Sequence, residues 1–166
     1  MSTGVIQEEA FPEKYHLLGG RALTARLLLD ETDPDCDPLS AKSTLYIAPG
    51  LLGGTAATTS GRTSFGFKSP LTGGSKEANV GGQIGHRLAR LGIRAIAITG
   101  TAPDGWMRLD IDADGANISN ASDLAGKRNY QLHAELIGNN LRNAAAATIG
   151  PAGELKLAAA SVAVTD

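Results

Sequence analysis

The chain has 166 residues, 42% hydrophobic and 19% charged, with 21 glycines, few aromatics at 4%, and a net charge of −2. This is the balance of a folded domain with an aliphatic core, and it excludes an intrinsically disordered chain. The near-neutral charge lacks the electrostatic footprint that nucleic acid or an anionic membrane would demand.

The predicted elements follow in chain order. Gly20 to Glu31 reads as a helix: Leu23, Leu27 and Leu28 share a stripe, two glycines open it and Asp33-Pro34 close it. After an acidic loop, Thr44 to Ala48 is a short buried strand, and Pro49 to Gly54 is a glycine-rich turn. Thr63 to Lys68 alternates as a strand and runs into a turn at Ser69 to Gly74. Gly82 to Leu91 is a second helix with Ile84, Leu88 and Leu91 as its stripe and Gly92 as its cap. Ala95 to Thr99 is a buried strand. Trp106 to Asp112 and Ala116 to Ser119 form a hairpin about Asp114-Gly115. Asn129 to Asn140 is a third helix, and Ala145 to Ile149 and Leu155 to Val164 are strands.

Many strands with few helices indicate an α+β fold and not a wound parallel sheet. Gly-Gly pairs precede both of the first two helices, and the turns GLLGGT and PLTGGS are alike. These echoes hint at an internal duplication, two similar β-sheet-rich halves with a few short helices inside one domain spanning 1–166.

The stretch from Gly61 to Gly85 is unusual. It holds seven glycines around few large apolar residues, among them Phe65, Phe67 and Leu71. Glycine weakens regular elements by about 0.5–1 kcal/mol relative to alanine. Its return is positive φ and close approach, so this backbone is shaped to lie against a large polar ligand or another chain. Within it, Arg62 follows Ser60-Gly61; a guanidinium presents a fork that grips phosphate bidentately, whereas a plain surface arginine in a turn is the competing reading.

Other chemistries find little support. Gly81-Gly82-Gln83-Ile84-Gly85 departs from the dinucleotide pattern and lacks its preceding strand. Asp110, Asp112 and Asp114 match half a calcium loop, but Ala121 stands where a bidentate glutamate is needed, so they read as structural. His16, His86 and His133 lie far apart and read as surface or partner-facing residues. Cys36 is the only cysteine, which excludes an internal disulfide and an iron–sulfur cluster ligated by this chain alone. No run approaches 18 apolar residues, and the first twenty residues carry Glu8, Glu9 and Glu13 without an apolar run. No membrane span or signal peptide is expected, and a cytoplasmic location is the default.

An ordered set of motifs resembles the N-terminal domain of the tungsten-containing aldehyde ferredoxin oxidoreductase family. Leu18 to Leu23 (LGGRAL) is similar to the family's LGGRGL, Asp37 to Ser40 to its DPLS loop, and Thr59 to Thr63 to its (T/S)GR turn. Lys68 to Gly73 (KSPLTG) and Ile149 to Glu154 (IGPAGE) are identical to family motifs, and Asn79-Val80-Gly81-Gly82 with Gly85 resembles NSGGxxG. The resemblance implies a base on which a tungsten bis-pyranopterin cofactor, or its molybdenum form, lies. In that light Arg62 matches the arginine placed between pterin and iron–sulfur cluster. Asn79 matches the residue whose main-chain carbonyl helps hold a magnesium ion between pterin phosphates, and Gly81 and Gly82 match positions against the pterin. The implied activity is oxidation of aldehydes to carboxylic acids with electrons passing through a [4Fe–4S] cluster to ferredoxin; a branch of the family reduces aromatic thioesters. A homo-oligomer is expected.

Departures stand beside these matches. Ala22 replaces a glycine, Leu51 and Thr58 replace prolines, Thr63 replaces an aromatic and Arg94 replaces an acidic residue. The family's cysteine ligands, its general acid/base residues and its second, glycine- and arginine-rich half of the pterin contacts have no counterpart here. The chain by itself is therefore expected neither to bind the complete cofactor nor to turn over substrate. The alternative is a standalone, non-catalytic domain that kept the fold and self-associates.

Overall fold

The computed structural model describes residues 4–102, 105–140 and 142–165. Its centre is a four-stranded antiparallel sheet built from β1 (Leu45–Pro49), β2 (Thr63–Lys68), β3 (Ser75–Val80) and β4 (Ile96–Ile98), in the order β3-β2-β1-β4. Helix α1 (Gly20–Glu31) lies on one face and α2 (Ile84–Arg90) on the other. The two Gly-Gly-to-helix segments thus flank the same sheet.

Strand alternation divides the core between these faces. Tyr46 and Ala48 of β1 point to the first face and pack with Tyr15, Leu23, Leu27 and Leu28. Ile47 and Phe65 point the other way, onto Leu88 of α2 and the partly buried Ile84, Ile96 and Ile98. That second face is also covered by Ile111 of the hairpin β5 (Met107–Asp112) and β6 (Gly115–Asn120), and by Val164 of β8 (Ala163–Val164), which pairs with β7 (Ala147–Thr148).

Glycine sets the closeness of the first layer at one place. A methyl on Gly66 would stand 2.6 Å from the Thr24 Cβ, so only glycine lets α1 settle onto β2. Helix α1 ends where Asp33-Pro34 makes αR backbone unfavourable, with Thr32 already extended at φ −103 and ψ 128. Helix α2 ends at Gly92, φ +78, where the Ile93 N–H donates to Leu88 O at 2.9 Å, the six-to-one bond of a Schellman cap.

Several elements differ from the sequence expectation. Strand β3 carries no apolar alternation; its sequence SKEANV is mostly exposed, and it exists because β2 offers it a six-residue register, Thr63↔Val80 through Lys68↔Ser75. As the sheet's edge it tolerates Lys76 and Glu77. The third helix, α3 (Asn129–Ile137), stops at Gly138, φ +51, and not at Asn140. The segment expected as a strand from Leu155 to Val164 pairs only at Ala163–Val164. Before it, Gly150 (φ +57) turns the chain and Pro151 starts a five-residue helix, α4 (Gly150–Glu154), as proline favours in a first turn. The β5–β6 turn centres on Ala113-Asp114, one residue earlier than expected, and Asp112 Oδ1 accepts the Asp114 N–H at 2.9 Å. Asp110 pairs with Arg108 at 2.7 Å, a local hairpin contact. No helix among the described residues is long and apolar enough to cross a membrane.

Candidate functional site

The β2–β3 hairpin closes at one end through the six-residue turn Ser69 to Gly74, which follows Lys68 and carries most of the KSPLTG motif, and opens at the other. At the closed end Ser69 N donates to Gly74 O and Gly73 N to Ser69 O, both at 2.8 Å. The Ser69 hydroxyl accepts the Leu71 and Thr72 N–H groups at 3.3 Å. Lys68 Nζ donates to the carbonyls of Pro34 and Cys36, the latter at 2.6 Å. The identical motif is therefore an anchor: it fixes the acidic loop, in which Cys36 is buried, and sets the hairpin register.

The open end gathers the residues singled out from the sequence. Arg62 precedes β2, and Asn79 and Arg62 lie on the face that α1 covers. The Arg62 Nε donates to Asn79 Oδ1, and its Nη2 donates to the Asn79 main-chain oxygen at 3.1 Å. Gly81 and Gly82 leave β3 at this edge. A methyl on Gly81 would meet nothing within 4 Å, and Gly82 sits at φ +83. The opposing turn holds Thr59 at φ +57, a left-handed conformation that is costly for a non-glycine residue and is found disproportionately at functional positions. Arg62 O accepts the Gly50 N–H at 3.0 Å, which ties this turn to the one after β1.

Close packing fixes the base of this edge. At Gly85 of α2 a methyl would stand 2.6 Å from Thr63 Oγ1 and 2.7 Å from Gly61 O. Gly19 is similarly pressed, since a methyl there would stand 2.5 Å from the Leu51 N. The region is thus a set of backbone turns in contact, with one cation and one carboxamide at its rim. The cleft at the end of α2 lined by Pro49, Gly53, Ala89 and Arg94 is only about 100 Å³, below the roughly 300 Å³ where small-molecule pockets begin. What the chain offers at Arg62 is an open surface.

Sequence reasoning missed two features beside the site. Thr24 and Ser64, both fully buried, share a hydrogen bond of 3.0 Å; Ser64 donates to Glu77 Oε1 at 2.6 Å, and Arg21 Nε donates to Glu77 Oε2 at 2.9 Å. This chain pins β3 to β2 and α1 two residues from Asn79. No periodicity signals it, because a threonine in a helix and a glutamate in an edge strand both read as exposed positions. The second feature is His86, expected as a surface or partner-facing residue but packed between turns, its Nδ1 accepting the Gly54 N–H at 3.1 Å. His16 does lie at the surface, stacked on Phe11, while His133 Nε2 meets Thr148 Oγ1 at 3.1 Å. Arg94 donates to the carbonyls of His16 and Leu18 at 3.1 and 2.9 Å and stands 5.0 Å over the Phe11 ring, clamping the N-terminal segment. Among the described residues no three His, Cys, Asp or Glu side chains are grouped to hold a metal ion.

The donor set suits a large anionic cofactor of the pterin type. A guanidinium has five N–H donors and spends two on Asn79. The Asn79 carbonyl is a hard oxygen with a second lone pair, the ligand type magnesium takes. The Gly81 turn leaves room for a flat ring system against the backbone.

The family model described as aldehyde ferredoxin oxidoreductase, N-terminal domain, matches residues 1–166. The tungsten-containing aldehyde ferredoxin oxidoreductases of Pyrococcus furiosus and Thermococcus kodakarensis are each 40% identical over 159 residues, covering 93% of this chain and 26% of theirs. That of Pyrococcus horikoshii is 38% identical over 167 residues, 98% of this chain and 27% of its own. The chain therefore spans about a quarter of the length of these relatives. Among solved structures, the active site complex BamBC of benzoyl coenzyme A reductase, in complex with 1,5-dienoyl-CoA, is similar with a TM-score of 0.89 and 32% identity, covering 98% of this chain and 25% of that one. On its motifs, its fold and these matches, the chain belongs to the aldehyde ferredoxin oxidoreductase family, within the N-terminal domain.

Proposed function

We propose that this chain is a single, cofactor-cradling domain of a cytoplasmic tungsten or molybdenum bis-pyranopterin oxidoreductase that oxidises aldehydes to carboxylic acids. The observation that carries the reading is the Arg62–Asn79 juxtaposition at an edge made of glycine turns. When bound, the cofactor would supply the redox chemistry: aldehyde and water give the acid, two protons released to solvent and two electrons, the electrons passing through a [4Fe–4S] cluster to ferredoxin. This chain's part is to bind and orient. Arg62 would offer its remaining donors to pterin and phosphate oxygens, its fork oriented by the two bonds to Asn79. The Asn79 main-chain oxygen would be the group to help hold a magnesium ion, through the lone pair that Arg62 does not use. Gly81 and Gly82 let the backbone approach the ring plane, with main-chain dipoles that suit anions. Cluster ligands and the second half of the cradle come from the remaining domains.

The test is the full-length protein, produced anaerobically with tungstate or molybdate and analysed for metal, pterin and aldehyde-dependent ferredoxin reduction. Metal and pterin bound in a fixed ratio, with aldehyde-dependent reduction, support the proposal. A metal- and pterin-free protein that self-associates stably would instead establish the standalone binding domain. The likeness to the benzoyl coenzyme A reductase complex favours one second reading, reduction of an aromatic thioester on the same cradle. Assaying one preparation with benzaldehyde and with benzoyl-CoA separates the two.

A further inference from the structure

One side chain outside the Arg62–Asn79 pair bears on the three turns that frame the edge. His86 stands in α2, and its Nδ1 accepts the Gly54 N–H at 3.1 Å. Its ring lies against Gly61: a methyl there would stand 2.7 Å from Nε2, closer still to Cδ2, and 3.2 Å from Gly82 O. The space a side chain at position 61 would take is therefore filled by His86 and rimmed by the Gly82 carbonyl. With Nδ1 accepting, the neutral ring carries its proton on Nε2. The Gly54 turn is in turn linked to Arg62, since Gly53 N donates to Gly50 O at 2.9 Å and Gly50 N donates to Arg62 O at 3.0 Å.

We infer that His86 is a positioning residue for the cradle. Its Nδ1 holds the 50–54 turn to α2, and its ring edge sets the distance of Gly61 from Gly82. Through both contacts it determines where Arg62 and the Gly82 backbone present their groups to the cofactor. The clause about the cofactor rests on the function proposed above; the coupling of the turns does not. A residue that merely filled space would be replaceable by any ring of the same size, whereas this role needs an acceptor at the Nδ1 position.

Two variants of the full-length protein separate these cases. His86→Phe keeps a ring and removes the acceptor; His86→Asn keeps an acceptor oxygen close to the Nδ1 position and removes the ring. The readouts are amide hydrogen exchange of the segments spanning 50–56 and 58–63, and pterin and metal content compared at matched global stability. Loss of one backbone hydrogen bond should speed Gly54 exchange about tenfold in His86→Phe, with cofactor content falling several-fold. His86→Asn should keep Gly54 exchange within about twofold of the parent protein, by the same bond's magnitude, while exchange of the 58–63 segment, no longer held by the ring edge, rises. Unchanged exchange in His86→Phe, or an equal loss in His86→Asn, overturns the inference. Should His86→Phe not fold, the His86→Asn result decides alone. If exchange behaves as expected while the parent protein holds neither pterin nor metal, the coupling of the turns is supported and the cofactor reading fails.

Discussion

Arg62 and Asn79, 17 residues apart in sequence, hold each other across the open end of the β2–β3 pair: one guanidinium reaches both the side-chain and the main-chain oxygen of a single asparagine. A fork read twice by one partner has a fixed plane and a fixed direction. That makes the cation a preorganised group, and preorganisation is what a cofactor site gains most from.

Removing this fork should alter binding far more than folding. The bonds from Arg62 to Asn79 are exposed, so Arg62→Ala should lower stability in urea by no more than about 1 kcal/mol, the usual net size of such hydrogen bonds. Tungsten or molybdenum and pterin content of the full-length protein should fall several-fold. Arg62→Lys should not restore it, because an ammonium is a point charge without the fork. A lysine variant carrying full cofactor would show that charge alone suffices.

The glycines should separate by role. Gly85→Ala places a methyl 2.6 Å from Thr63 Oγ1 and 2.7 Å from the Gly61 backbone oxygen, an overpacking expected to cost about 1–3 kcal/mol. Gly81→Ala meets nothing within 4 Å; its melting curve should be nearly unchanged, yet the methyl enters the cradle and should reduce cofactor content. Measuring both properties for both variants tests the division: loss of stability at Gly81 with full cofactor retention would contradict it.

The Thr24–Ser64–Glu77 chain should behave as one unit. Ser64→Ala leaves the buried Thr24 hydroxyl and a Glu77 oxygen without that partner, a loss expected to cost about 1–3 kcal/mol. Because β3 is pinned through Glu77, exchange of the β3 amides should rise as well. A double-mutant cycle of Ser64→Ala with Glu77→Gln should show coupling; strict additivity would mean that the contacts act independently.

Asp30 gives a pH dependence. The Tyr15 hydroxyl donating to it at 2.8 Å, joined by Arg26 at 2.9 Å and Lys14 at 3.5 Å, holds its carboxyl below the usual aspartate range. A carboxylate with a lower pKa in the folded state than in the unfolded state stabilises the fold above the unfolded value of about 4 and loses that contribution as pH falls through the folded value. Urea midpoints taken from neutral pH down to pH about 2 should therefore decline in this acid window. The decline should be shallower for Asp30→Asn, which lacks the titrating group. Parallel curves for the two proteins would remove Asp30 from the account.

The sequence by itself determined the helices at α1 and α2, the buried strands β1 and β2, the partly buried strand β4, and the ordered motifs that indicate the family. Each of these is a local signal: a leucine stripe has the helical period, a buried strand is a short apolar run, and a glycine marks a turn or cap. It also singled out Arg62, as a guanidinium in a glycine-rich stretch, and Asn79, through resemblance to a family alone. What pairs with what was decided in three dimensions. Strand β3 is polar and exposed, so nothing local marks it; it forms because β2 presents unpaired backbone groups and the KSPLTG turn fixes the register. That register, and not any pattern in the chain, brings Asn79 onto the face of Arg62, Glu77 onto Ser64, and leaves Gly81 open. His86 looked like a surface or partner-facing histidine because its acceptor role depends on a turn 32 residues earlier in the chain. Hydrophobic periodicity records which face of an element is buried; the partner of a polar group is a matter of geometry, which only the folded backbone supplies.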